Sequence, residues 1–115
     1  MPSKNPAQRL RDIADNISAI QAFTAHLELD TFLADRKTIY AVVRALEIIS
    51  GASRRLPDEV TARHPEIDWP AIAAVGNLYR HEYEVVDEKL VWNTVQRDLG
   101  VLKKVIESEL ARLQI

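Results

Sequence analysis

The sequence predicts an all-α fold, an antiparallel bundle of about four main helices with a short extra helix. Apolar residues recur at three- and four-residue spacing through the long segments, which is the period of a helix buried on one face. Asn or Asp stands at the start of the periodic segments, where helix capping favours these residues. No segment shows the convincing apolar–polar alternation that would predict a strand. At 115 residues, the chain is expected to form a single domain spanning residues 1–115.

The first helix is predicted from Asn5 to about His26. Asn5 can cap it, Pro6 suits the first turn, and Gln8 can reach back as in a capping box. We interpret His26 as a solvated or capping residue at the helix end. The apolar positions that follow the cap at helical spacing are Leu10, Ile13, Ile17, Ile20 and Phe23 or Thr24.

A short turn of helix over residues 30–34 leads to the second long helix, which Asp35 is predicted to cap. A run of small residues, Ser50-Gly51-Ala52-Ser53, lies near the end of this helix. Such a run is typical either of a fraying helix end or of the close approach of another backbone or a ligand. The predicted buried positions of the helix are Ile39, Val42, Val43, Leu46 and Ile49.

Two further helices and a short one complete the prediction. The short helix starts at Leu56-Pro57-Asp58-Glu59 and ends before Pro65, and His64 is interpreted as a surface loop residue. Asp68 is predicted to cap the helix that carries His81 in its last turn. Asp87 is predicted to cap the last helix, in which Gly100 favours a bend. The apolar positions of that helix are Leu90 or Val91, Val95, Leu99, Leu102, Val105 or Ile106, Leu110 and Leu113.

Composition excludes several kinds of chemistry. The chain has no cysteine, which excludes disulfides, zinc–thiolate sites and thiol catalysis. Its three histidines lie in unrelated segments without metal-ligand spacing, so we expect no metal and no other cofactor. The net charge of −2 means that RNA binding would need a local basic patch. No apolar stretch approaches the roughly 18 residues of a membrane span, and no signal core follows the N-terminus, so we expect a cytoplasmic protein.

The segment Arg80-His81-Glu82-Tyr83 concentrates the reactive groups of the chain. A neutral imidazole can take the proton of a ribose 2′-OH or give a proton to a leaving 5′-oxygen, and a guanidinium pairs with phosphate. One histidine cannot do both tasks at once, but a two-fold dimer supplies a second copy. These residues alone also allow His81 to be a capping or hydrogen-bonded residue without a role in catalysis.

The motif Asn77-x-x-x-His81-x-Tyr83, followed by Val86-Asp87 and Trp92, resembles the signature of the HepT-like branch of the HEPN superfamily. The resemblance covers nearly the whole chain. Further matching segments occur in the family's order: Phe32-Leu33-Ala34-Asp35-Arg36, Ile48-Ile49, Ala52-Ser53-Arg54-Arg55-Leu56-Pro57, Trp69, Leu99 and Leu102-Lys103.

The resemblance implies a HEPN-like, all-α homodimer that acts as a metal-independent endoribonuclease toxin of a type II toxin–antitoxin system. Its partner would be a cognate nucleotidyltransferase of the minimal (MNT) type, which silences the toxin by transferring AMP to a tyrosine. By that resemblance His81 and Arg80 are the catalytic candidates and Tyr83 is the AMP acceptor. The candidates for supporting RNA contacts are Asn77, Arg54 and Arg55.

The sequence departs from the family pattern at two positions. Gly76 stands where the family's arginine would directly precede Asn77, and Ser50-Gly51 stands where the family usually has Gly-Glu. Loss of a basic and an acidic residue together indicates a dropped ion pair, and Arg80 is the obvious substitute for the arginine. Successive helical residues point about 100° apart, so Arg80 would serve the partner subunit's site. Gly76 and the acidic balance of the chain favour an alternative, a non-catalytic dimeric HEPN module that engages a nucleotidyltransferase or a nucleotide.

Overall fold

The computed structural model describes residues 5–81 and 88–113, the side chains of residues 76–81 excepted. Every element in these ranges is helical, which confirms the predicted all-α class. The elements are α1 (Ala7–Thr24), α2 (Leu29–Leu33), α3 (Arg36–Ser53), α4 (Asp58–Ala62), α5 (Trp69–His81), α6 (Glu88–Arg97) and α7 (Leu99–Leu113).

Helix α1 packs against α3 and α7 and supplies much of the core. Its predicted apolar stripe is confirmed, with the last position taken by Thr24, whose hydroxyl donates to the carbonyl of Ile20 at 2.9 Å, while Phe23 is 46% exposed. The predicted cap at Asn5 is displaced by one residue, because Pro6 is the N-cap; Asn5, just before it, accepts a hydrogen bond from the amide of Ala7 at 2.9 Å. The predicted capping box is wrong, because the Gln8 amide donates to Asp12 at 2.8 Å.

Helix α3 begins where predicted, since Asp35 accepts hydrogen bonds from the amide and the hydroxyl of Thr38 at 3.1 and 2.7 Å. These bonds lower the pKa of the Asp35 carboxyl. The helix continues through the run of small residues, and Ser50 donates to the carbonyl of Ala73 in α5 at 2.8 Å. Of the two interpretations of that run, close approach of another backbone is therefore correct. Small side chains at this point let α5 lie against α3.

The predicted last helix is interrupted. Helix α6 ends at Arg97 and α7 begins at Leu99, although the amide of Asp98 still donates to Thr94 and its carbonyl accepts from the amide of Leu102. The irregularity lies two residues before Gly100, the position where a bend was predicted. The buried residues match the predicted stripe: Val91, Val95, Leu99, Leu102, Val105 and Ile106. Leu90 and Leu113, also in that stripe, are exposed.

The short helices α2 and α4 close the ends of the bundle. In α2, Phe32 is fully buried and its ring lies 5.0 Å from that of Trp92 in α6. In α4, Val60 is buried, and the helix ends before Pro65 as predicted. The predicted cap at Asp87 lies outside the described residues. In the part of the chain that the structure describes, no helix is long and apolar enough to cross a membrane.

Candidate functional site

Helix α5 carries the predicted site, and its start is fixed by capping and by a tryptophan. The Asp68 carboxylate accepts from the amide of Ala71 at 3.1 Å, which confirms the predicted N-cap. The indole of Trp69 donates to the carbonyl of His64 at 3.1 Å. Ile72 and Val75, one turn apart, pack against the core. The first half of α5 is therefore fixed by hydrogen bonds at its N-terminus and by apolar packing along one side.

A buried carboxylate holds the loop that leads into α5. Glu109 of α7 has a side chain that is 3% exposed and accepts two hydrogen bonds from the Arg63 guanidinium, at 3.0 and 2.6 Å. His64 lies 2.7 Å from the same carboxylate through its Nε2 atom and 3.7 Å from Glu66 through its Nδ1 atom. The bonds from Arg63, helped by His64 and opposed by burial, lower the pKa of Glu109 from 4.5 to about 2. The carboxylate is therefore ionised throughout the neutral range.

The interpretation of His64 as a surface residue is wrong. It lies in a loop as expected, but its side chain is only 14% exposed because it contacts the buried carboxylate of Glu109. The sequence does contain a signal for the pairing of His64 with Glu109, which helical periodicity alone did not predict. Glu109 falls three residues after Ile106, on the buried stripe of α7. A charged residue at a core position of an amphipathic helix calls for a buried partner.

The helices α3 and α5 are antiparallel, with Ser50 against Ala73 and with Leu46 and Val75 lining one groove. From Ala73, the helix rise carries the chain about 12 Å further along the axis to His81. His81 therefore lies beside the middle of α3, well away from the end of that helix at Ser53.

The two predicted catalytic residues and one predicted RNA contact, Asn77, lie on the last turns of α5. Asn77, Arg80 and His81 all belong to this helix, and His81 is its last residue, as the sequence predicted. Residues four apart share a helix face, so Asn77 and His81 lie on one side, whereas Arg80 is turned about 100° from His81. Tyr83 lies outside the described residues.

The other two predicted RNA contacts lie at the far end of α5. The amides of Arg54 and Arg55 donate to the carbonyls of Ser50 and Ala52 at 3.2 and 3.0 Å, and both side chains are exposed in the turn after α3. Since α5 runs away from this turn, the structure does not bring these arginines to His81. A single RNA contact surface would have to extend along α5.

An apolar groove lies beside α5, and residues of α3 form part of its lining. It has a volume of about 420 Å³ and separates α5 from the junction of α6 and α7. Val101, on the far side of the groove, is 51% exposed. The apolar residues that line it are Leu46, Ile49, Ile67, Ala71, Ile72, Val75, Leu99, Val101 and Leu102.

The position at which the resemblance expects an acidic residue has room for a Cβ atom. A Cβ atom added to Gly51 would meet nothing within 4 Å, so the glycine is not required by close packing. Gly51 follows Ser50, which contacts α5, and Gly76 lies one turn beyond Ala73 on α5. The two departures from the family pattern thus fall on neighbouring turns of the two packed helices.

Comparison with known protein families decides the relationship. Residues 13–109 match the family described as "Ribonuclease HepT-like", a range that includes the whole Asn77–Tyr83 motif. The chain belongs to the HepT-like ribonuclease family. The resemblance drawn from the motif is thereby confirmed.

The HepT-like chain is 42% identical over 98 residues to "Probable ribonuclease HepT" of Thermococcus cleftensis, and the match covers 85% of this chain and 89% of that protein. It is 32% identical over 111 residues to "Putative RNase MJ0127" of Methanocaldococcus jannaschii, with 93% and 92% covered. It is 28% identical over 109 residues to "Putative RNase TTE0752" of Caldanaerobacter subterraneus, with 95% and 97% covered. The search of solved structures gives no match.

Proposed function

We propose that this protein is a metal-independent endoribonuclease that acts in the cytoplasm as the toxin of a type II toxin–antitoxin pair. The observation that carries the proposal is the unbroken course of α5 through His81, within the range that matches a ribonuclease family. This course puts Asn77 and His81 on one face of a helix whose start is held by Asp68, Trp69 and Ser50.

The proposed reaction is transfer of the RNA phosphate to the neighbouring 2′-oxygen. The neutral His81 imidazole takes the proton of the 2′-OH, the 2′-oxygen bonds to phosphorus, and the bond from phosphorus to the 5′-oxygen breaks. His81 of a second copy, in its protonated form, gives a proton to that 5′-oxygen. The products are a 2′,3′-cyclic phosphate end and a 5′-hydroxyl end. Arg80 would pair with the phosphate oxygens and stabilise the charge that develops on them.

The choice of mechanism is tested by the requirement for metal and by the product ends. Purified protein in EDTA should cleave single-stranded RNA at the rate seen in magnesium, because both proton transfers use imidazole. Mass spectrometry of the fragments should show cyclic phosphate ends. Activity that EDTA abolishes and magnesium restores would overturn the mechanism.

A homodimer is part of the proposal, with α5 near the two-fold axis. What supports it is the apolar groove beside α5, because an uncovered apolar surface favours association. Val101→Glu places a charge at its exposed rim and should shift the protein from dimer to monomer in light scattering. Leu113→Glu, also on an exposed leucine of α7 but outside the groove, is the matched control. A wild-type protein that is a stable monomer at micromolar concentration would contradict the dimer.

The proposed antitoxin is a nucleotidyltransferase of the minimal type that transfers AMP to Tyr83. An AMP group there would bring a phosphate and a base close in sequence to Arg80 and His81 and would exclude RNA by charge and by bulk. Co-expression with the proposed nucleotidyltransferase should give an AMP-sized mass increase that Tyr83→Phe removes. If the adduct persists in Tyr83→Phe, the acceptor lies elsewhere, and Tyr79 is the next candidate.

A second candidate function is a non-catalytic dimeric module that binds a nucleotidyltransferase or a nucleotide. The replacement of the family's arginine by Gly76, together with the acidic balance of the chain, favours it. The two candidates differ in the effect of Gly51→Glu combined with Gly76→Arg, which restores the charged residues usual for the family. An inactive wild-type chain that gains RNA cleavage on this double substitution would support the binding module. Equal cleavage by both chains would support the enzyme.

A further inference from the structure

A second cleft lies where the start of α1 meets the turn after α3, whereas His81 lies beside the middle of α3. It has a volume of about 600 Å³, within the range of pockets that hold small ligands. Its lining comes from two segments that are far apart in sequence. The lining residues are Asn5, Pro6, Ala7, Gln8, Arg9, Arg11, Arg55 and Pro57.

The cleft is strongly basic although the chain has a net charge of −2. Three arginines line it, Arg9, Arg11 and Arg55, and no lining residue is acidic. Arg9 has one long ion pair, 4.0 Å from Asp12 on the next turn of α1, and the Arg11 guanidinium donates to the Gln8 amide oxygen at 3.3 Å.

Two of the three arginines keep their charge available for a ligand. Within the part of the chain that the structure describes, Arg11 and Arg55 form no ion pair, and both side chains are exposed. The first turn of α1 contains no acidic residue that would oppose them. Three positive charges thus line the cleft and no acidic residue is among its lining residues, so an anion that enters the cleft is attracted electrostatically.

We propose that the cleft formed by Arg9, Arg11 and Arg55 binds backbone phosphates of single-stranded RNA at a distance from the cleavage site. The inference rests on the proposed ribonuclease function, which supplies the polyanion. Guanidinium groups bind phosphate oxygens in a bidentate manner, and three of them can contact successive phosphates. The helix rise from Arg55 back to Ser50 in α3 and from Ala73 on to His81 in α5 separates the cleft from His81 by roughly 15–20 Å along the helix axes. A strand of several nucleotides spans that distance, so the cleft fixes RNA that extends beyond the cleaved bond.

The test measures RNA binding without turnover. His81→Ala protein in EDTA is titrated against a fluorescently labelled single-stranded RNA oligonucleotide at a series of salt concentrations. Each phosphate contact on a single strand contributes about 0.7 to the slope of log affinity against log salt. Replacing all three arginines with glutamine should therefore lower the slope by about 2 and weaken binding more than tenfold at low salt. Arg55→Lys should weaken binding because an ammonium group cannot contact phosphate in a bidentate manner, and it should largely keep the slope because the charge is kept.

Lys104→Gln is the control for the loss of one positive charge outside the cleft, since Lys104 is exposed on α7 and does not line the cleft. Circular dichroism establishes that each variant is folded, and if the triple variant is not, Arg11→Gln with Arg55→Gln replaces it, with a slope change of about 1.4. A folded variant that binds with the parent's affinity and slope would overturn the proposal. So would an equal loss in Lys104→Gln, because the effect would then be one of overall charge.

The outcome is independent of the test of catalysis. In a chain with His81 intact, absence of cleavage together with arginine-dependent RNA binding would reject the ribonuclease and leave the cleft in place. Cleavage that depends on His81 but not on the three arginines, on long as well as short RNA, would reject the cleft and leave the ribonuclease in place.

Discussion

Replacing Glu109 with glutamine should destabilise the fold more than a typical substitution on the surface does. The carboxylate is almost fully buried and accepts hydrogen bonds from both side chains that precede α5, Arg63 and His64. Glutamine keeps the size of the side chain but loses the charge, and it leaves the Arg63 guanidinium opposite a neutral group. The loop before α5 would then lose the ionic contacts that attach it to α7.

The size of the effect follows from the pKa of Glu109. A carboxyl whose pKa is about 2 in the folded chain and 4.5 in the unfolded chain stabilises the fold by about 3 kcal/mol at neutral pH. The unfolded state takes up the proton first as the pH falls. The stabilisation is therefore fully present above pH 4.5 and is lost as the pH falls from 4.5 through about 2.

Urea unfolding followed by circular dichroism, at one protein concentration, measures the free energy of unfolding of the wild type and of Glu109→Gln. The difference between the two should be about 3 kcal/mol at pH 7 and should shrink towards pH 2, because other carboxyls titrate equally in both proteins. Glu107→Gln, an exposed glutamate on the same helix, is the control and should change stability little. A difference below about 0.5 kcal/mol at pH 7, or one that does not depend on pH, would refute the reasoning.

Three further predictions concern the helices and the site. Asp68→Ala should cost about 1 kcal/mol of unfolding free energy in urea titration by removing the cap of α5, and Asp68→Asn should cost little, because asparagine also caps. Gly100→Ala should add about 0.5–1 kcal/mol in the same assay, since the added Cβ meets nothing within 4 Å; a loss of stability would show that α7 needs the glycine. Arg80→Ala should cost roughly 2–4 kcal/mol of transition-state stabilisation in kcat/KM for RNA cleavage, and Arg80→Lys should restore only part of it.

Much of the fold could be predicted from the sequence because helical periodicity and capping are local signals. The caps at Asp35 and Asp68 depend only on residues within one turn of each aspartate. The choice between Phe23 and Thr24 could not be made in this way. Periodicity predicts which face of a helix is buried but not which residue forms the edge of that face. Thr24 can be buried because its hydroxyl donates a hydrogen bond to the backbone of its own helix.

Long-range pairing was missed for a related reason. The contact of Glu109 with Arg63 and His64 joins residues 45 and 46 positions apart, and no local pattern links them. The basic cleft likewise joins Arg55 to Arg9 and Arg11 across the bundle. The motif residues Asn77, Arg80 and His81 could be grouped from the sequence because they lie within two turns of one helix, where spacing along the chain determines spacing in the structure.

The central claim, that His81 cleaves RNA, is tested most directly by one rate measurement. Cleavage of a single-stranded RNA in EDTA is followed for wild type, His81→Ala and His26→Ala, the last being an exposed histidine in the connection after α1. His81→Ala should lose at least a hundredfold in rate, the usual contribution of a general acid or base, while His26→Ala should cleave like wild type. His81→Ala protein that is folded and cleaves at the wild-type rate would contradict the claim.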